Sequence, residues 1–68
     1  MGKDYFEHIY TEYYNILKLF SLRIVGNPSA AEDIVQDVFA EIWTKRKEID
    51  ITKAIKPYLY KLTYNRSL

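Results

Sequence analysis

The chain has 68 residues, enough for one small domain. A domain of that size buries only about 60% of the surface its unfolded chain exposes. With no cysteine, neither a disulfide nor a thiolate-bound zinc can staple it, so a hydrophobic fraction of 49%, of which aromatics make up 16% of the chain, must supply the core.

The net charge of +1 excludes a strongly basic or acidic chain. No run approaches the roughly 18 apolar residues that would cross a membrane. MGKDYFEHIY lacks the apolar core of a signal peptide. Phe6 stands where a myristoylation motif needs Ser or Thr. The expected compartment is the cytoplasm. Seven tyrosines against three phenylalanines favour side chains with one wet end, as interfaces do.

The first predicted helix runs from about Asp4 to Val25. Phe6, Ile9, Tyr10, Tyr13, Ile16, Leu17, Phe20 and Ile24 follow the i, i+3, i+4, i+7 spacing of one helix face. Asp4 favours the start through the helix dipole. Gly26 supplies a left-handed terminator, and Pro28 prevents continuation.

The second predicted helix spans 30–47. Ser29-x-x-Glu32 is a capping-box pattern. Ala31, Ile34, Val35, Val38, Phe39, Ile42 and Trp43 form its apolar face, with Trp43 expected at a costly buried position. The other face carries Glu32, Asp33, Gln36, Asp37 and Glu41, with no base among them. Surface helices usually mix signs, because Glu and Lys four apart support each other. This face suits a basic partner, Gln36 lying centrally and Ala40 leaving room for close approach; its bland reading is a solvated surface. Lys45, Arg46 and Lys47 are expected in the last turn, where bases suit the dipole.

Glu48 to Ala54 reads as a loop, and a third helix spans about 55–67. Pro57 fits its first turn. Its buried stripe is expected at Ile55, Leu59 and Leu62, with Tyr58 beside them. Lys53, Lys56, Tyr60, Tyr64 and Ser67 fall near one face, with Lys61 at its edge. Cations that hold phosphates, interleaved with rings that stack unpaired bases, suit a single strand. The alternative is a solvated lysine face with tyrosines half-buried against the first helix. The pattern stops at Leu68 without a terminator, so the expectation is a piece of a longer protein.

No strand alternation or internal repeat is present, and the predicted class is all-α, a compact three-helix domain over residues 1–68. Between Ser29 and Glu41 there are four acids and no base; between Ile51 and Leu68, four bases and no acid. That split points to two partners of opposite charge, or to attraction between the helices themselves. Chemistry finds little support. His8 is the lone histidine, glycines occur only at 2 and 26, and no nucleophile–base set can be assembled. Paired carboxylates on one helix do not make a metal site. No catalytic residue, metal ligand or cofactor is expected, and the chain is not read as an enzyme.

Several segments follow one another in a definite order. Tyr13-Tyr14-x-x-Leu17 precedes Leu22-Arg23-Ile24-Val25-Gly26. Ser29-x-Ala31-Glu32-Asp33-Ile34-Val35-Gln36-Asp37-Val38-Phe39 follows, then Ile42-Trp43 and Arg46, then Tyr58-Leu59-Tyr60 and Asn65. The middle motif is specific, and in this order the segments make the whole chain resemble region 2 of the extracytoplasmic-function sigma factors. The resemblance implies a domain that docks on the β′ clamp coiled coil of core RNA polymerase through Asp33, Gln36 and Asp37. It implies contact with the unpaired non-template strand of the promoter −10 element through Lys56, Tyr60, Lys61, Tyr64, Asn65 and Arg66. It also implies an anti-sigma partner, and a second promoter-reading domain absent from this chain. Ile55 and Tyr58 depart from the family's frequent Phe and Trp, and Tyr64 from a frequent Arg. The rival reading is a helical protein-interaction module without DNA contact.

Overall fold

The computed structural model describes residues 2–48 and 55–68, with side chains from Asp4 onward. Within those residues the chain forms three α-helices and no strand: α1 (Gly2–Val25), α2 (Pro28–Thr44) and α3 (Ile55–Ser67). The expected all-α, three-helix class is what the molecule adopts. At 1.5 Å per residue, a helix of this length spans about 36 Å. That matches the long axis of the molecule, 35 Å against 19 and 17 Å. α1 is thus the spine, and α2 and α3 pack on it and on each other.

The α1–α2 junction is tight. Gly26 takes φ +71°, the left-handed conformation that costs an ordinary residue about 1–2 kcal/mol. Its N–H returns to the Leu22 carbonyl at 2.8 Å, closing α1. α2 then starts at once, earlier than the capping-box pattern suggests. The N-cap is Asn27, not Ser29: the Asn27 Oδ1 accepts from the Ala30 N–H at 3.1 Å. Pro28 occupies the first turn, where its fixed φ and missing N–H cost nothing. Glu32 does not reach back to the backbone as a capping box requires; its carboxylate meets Lys18 of α1 at 3.2 Å.

The core is built on the apolar face of α2. Ala31, Val35, Val38, Phe39 and Ile42 are buried, against Ile9 and Leu17 of α1 and Ile55 and Leu59 of α3. Phe39 is its aromatic centre, with ring centroids 4.8 Å from Tyr10, 6.1 Å from Phe6 and 6.4 Å from Tyr14. Trp43 is half-buried rather than enclosed. One side packs on Phe6 at 5.0 Å, and the Arg46 guanidinium lies 3.8 Å over the ring. Arg46 also donates to the Trp43 carbonyl at 2.8 Å. After Thr44 the backbone turns, the Arg46 N–H donating to the Trp43 carbonyl at 3.3 Å and the Glu48 N–H to the Lys45 carbonyl at 2.9 Å, so Lys45, Arg46 and Lys47 follow the helix instead of forming its last turn.

Two apolar stripes differ from the spacing-based expectation. In α1, Ile16 is 44% exposed while Ser21 is fully buried. In α3 the buried positions step by four, Ile55, Leu59, Thr63 and Ser67, and Leu62 and Tyr58 are half-buried flanks. The hydroxyls satisfy themselves. Thr63 donates to the Leu59 carbonyl at 2.8 Å and Ser67 to the Thr63 carbonyl at 2.6 Å. With its proton so engaged, Ser67 accepts from the Ser21 hydroxyl at 2.7 Å. A hydroxyl clasp thus seals the end of α3 against α1. The expected loop over residues 49–54, and Lys53 within it, lie outside the described residues.

Candidate functional site

Two surfaces answer to the charge split in the sequence. The first is the outer face of α2. Burial of its apolar side turns Asp33, Gln36 and Asp37 outward, and all three are exposed on adjacent turns. No ion pair among the described residues engages Asp33 or Asp37. The acids at the two ends of this face are already neutralised from other elements. Glu32 meets Lys18, and Glu41 takes Lys45 at 3.4 Å and Arg66 at 2.6 Å. The face is therefore less uniformly acidic than the sequence suggests, because its compensating bases come from α1, α3 and the following turn. What remains available is a compact patch of two carboxylates and a carboxamide. Such a patch presents acceptors to cationic donors and two N–H donors from Gln36.

The second surface is α3. Lys56, Lys61, Tyr64 and Asn65 are exposed, with Tyr64 48% open to solvent. Tyr60 is half-buried, its ring set edge-on to Phe20 of α1 at 5.2 Å. Ser67, placed on this face by the sequence spacing, is instead buried in the clasp with Ser21. Arg66 lies on the edge of α3 facing α2, where its Nη2 donates to the Glu41 Oε1. The structure thus gathers Lys61, Tyr64 and Asn65 on one open surface. It sets Tyr60 at one edge of that surface and Arg66 at the other.

The Glu41–Arg66 pair has its own electrostatics. The hydrogen bond from Arg66 holds the Glu41 carboxyl below its usual range, against partial desolvation that pushes it up. The same bond holds the Arg66 guanidinium above its usual range, with Asp37 adding to the field. The charge split in the sequence allows such attraction between the helices, but nothing in the spacing picks out these partners, which are 25 residues apart. Sequence reasoning also missed an open groove of about 320 Å³ between α1 and α3, lined by Ile16, Leu19, Phe20, Arg23 and Tyr60.

The single histidine is on the surface, with its Nε2 3.0 Å from the Glu12 carboxylate. Among the described residues, no cluster of three or more His, Asp or Glu side chains is placed to hold a metal ion. Nor is any helix long and apolar enough to cross a membrane. The two surfaces present acceptors on α2 and donors and rings on α3.

Comparison with known proteins supplies a family. No curated protein and no solved structure matches the chain. The family model described as sigma-70 region 2 matches residues 9–68, all of the chain after His8. It covers the α1–α2 junction, the acidic face and the whole of α3. The chain therefore belongs to the sigma-70 region 2 family, the transcription-initiation domain by which sigma factors engage core RNA polymerase and promoter DNA.

Proposed function

We propose that this domain is the region-2 module of an extracytoplasmic-function type sigma factor and that its two surfaces divide the work. The α2 patch of Asp33, Gln36 and Asp37 docks on the β′ clamp coiled coil. The α3 surface, with Lys56, Tyr60, Lys61, Tyr64, Asn65 and Arg66, contacts the unpaired non-template strand of the −10 element. Tyr64 stacks a base, while Lys56 and Lys61 hold phosphates. The domain makes and breaks no bond; its binding energy favours the open strand over the duplex. An anti-sigma factor, acting in the cytoplasm, competes for one or both surfaces.

The observation that carries this reading is the outward patch on α2. Three polar acceptor-bearing side chains stand exposed on consecutive turns, directly behind the buried Val35 and Phe39. Such a patch on a rigid helix is preorganised, so docking costs little side-chain or backbone ordering.

Binding to an isolated β′ clamp coiled coil tests it, with the wild type beside a Gln36→Ala, Asp37→Lys double variant. The variant changes exposed groups and is expected to fold, as circular dichroism will show. Its affinity should fall at least about tenfold, the cost of removing an interfacial charge contact and placing a like charge there. Equal binding by both proteins would return the α2 face to a solvated surface.

A second reading, a helical interaction module without DNA contact, gains from one observation. Tyr60 and Arg66, two of the six α3 residues, are engaged inside the molecule. Under that reading, the folded domain shows no salt-dependent affinity for single-stranded DNA. Under ours, it binds, with log affinity falling by roughly 0.7 per phosphate contact for each tenfold rise in salt.

A further inference from the structure

The exposed cations of α3 are not equivalent. Among the described residues no ion pair engages Lys56 or Lys61, whereas Arg66 donates to Glu41 at 2.6 Å. The other Glu41 oxygen takes Lys45 at 3.4 Å, which helps fix the carboxylate. Asp37, one turn earlier on α2, adds attraction for the same guanidinium. Arg66 is nonetheless accessible, its side chain 41% exposed. A phosphodiester presents guanidinium with much the same oxygen geometry that a carboxylate does. The two are therefore rivals for one side chain. Glu41 is half-buried, but the pair is open to solvent on the Arg66 side, and a pair so placed is weakly held and exchanges.

We propose that Glu41 is a built-in competitor for nucleic-acid phosphate at Arg66. The carboxylate draws the guanidinium to the α2 edge of α3, away from Lys61 and Tyr64. A single-stranded backbone gains the Arg66 contact only by displacing Glu41. This rests on the DNA half of the proposed function and goes beyond it, since it assigns a positioning role to an acid of the α2 face. By linkage, any cationic partner that takes Glu41 also frees Arg66 for the strand.

The test is equilibrium binding of a short fluorescein-labelled oligothymidylate across a series of salt concentrations. The proteins are wild type, Glu41→Gln, Arg66→Gln and the double variant, each checked for folding by circular dichroism. Glu41→Asp keeps the charge but falls short of Arg66. Glu7→Gln removes an exposed acid of α1 as a charge control. Glu41→Gln should bind about three- to tenfold more tightly at low salt. Its log–log salt slope should steepen by about 0.7, one more phosphate contacted on a single strand. Glu41→Asp should move in the same direction, and Glu7→Gln should change neither quantity as much. In the Arg66→Gln background the Glu41 effect should vanish.

Tightening of the same size in the Arg66→Gln background, or in Glu7→Gln, would overturn the proposal and reduce the effect to net charge. So would wild-type binding with an unchanged slope in Glu41→Gln, which leaves the DNA reading standing. Absence of binding by every folded variant would overturn both together.

Discussion

At the scale of single residues, the α1–α2 junction and the aromatic centre make opposite demands on a reading of the sequence. Ser29-x-x-Glu32 has the pattern of a cap, yet Asn27 performs the function because Pro28 lets α2 begin two residues sooner. Asn, Ser and Asp are near-equal caps, so residue type alone does not choose between them. The two variants separate the possibilities. Asn27→Ala should lower stability by about 1 kcal/mol. Ser29→Ala, at an exposed helical position, should stay within about 0.5 kcal/mol. Thermal melting of the pair checks both, and a larger loss at Ser29 would contradict the cap. The aromatic centre makes a similar contrast. Phe39 is fully buried and touches three rings of α1, so Phe39→Ala should cost about 3–5 kcal/mol. Trp43 is half-buried, with the Arg46 guanidinium over its ring. Trp43→Ala should therefore cost less, about 1–2 kcal/mol. Chemical denaturation orders them, and a reversed order would place the core elsewhere along α2.

At the scale of elements, legibility in the sequence followed the strength of each helix's pattern. α2 was readable because its large apolar residues and its acidic residues keep to separate faces at helical spacing, so its core face and its outer patch are two views of one periodicity. α1 was readable in extent but not fully in phase. Nearly every turn offers an aromatic, and hydrophobicity could not show that Ile16 faces solvent while Ser21 faces the core. α3 was the least readable. Half of its buried positions, Thr63 and Ser67, are hydroxyl residues whose burial depends on bonds to their own helix and to Ser21. No apolar pattern reports such positions. The charge split allows attraction between α2 and α3, but only the fold picks Glu41 and Arg66 as the partners. That link has a pH signature. Arg66 holds the Glu41 carboxyl below its ordinary pKa of 4.5, so the pair's contribution is complete above that value. It is lost as pH falls through the lowered native value, because the unfolded chain then binds more protons than the native one. The pair is open to solvent on the Arg66 side and contributes on the order of 1 kcal/mol. The stability gap between wild type and Glu41→Gln should be present at neutral pH and should close below about pH 4.5. Melting curves at matched ionic strength read this directly, and a gap that persists in acid would point to packing rather than charge.

At the scale of the whole molecule, three helices and one small core hold the two proposed recognition surfaces back to edge. The acidic patch faces out from α2, and the open α3 surface lies beyond the Glu41–Arg66 pair. Membership in the sigma-70 region 2 family gives these surfaces their context in transcription initiation. The patch on α2 is where the account is most exposed. Amide chemical-shift mapping of the domain during titration with the β′ clamp coiled coil tests it most directly. The account predicts that the largest changes cluster on Asp33, Gln36 and Asp37 and extend along α2 to Glu41. Changes centred instead on the α1–α3 groove at Leu19, Phe20 and Arg23, with the α2 face silent, would contradict it.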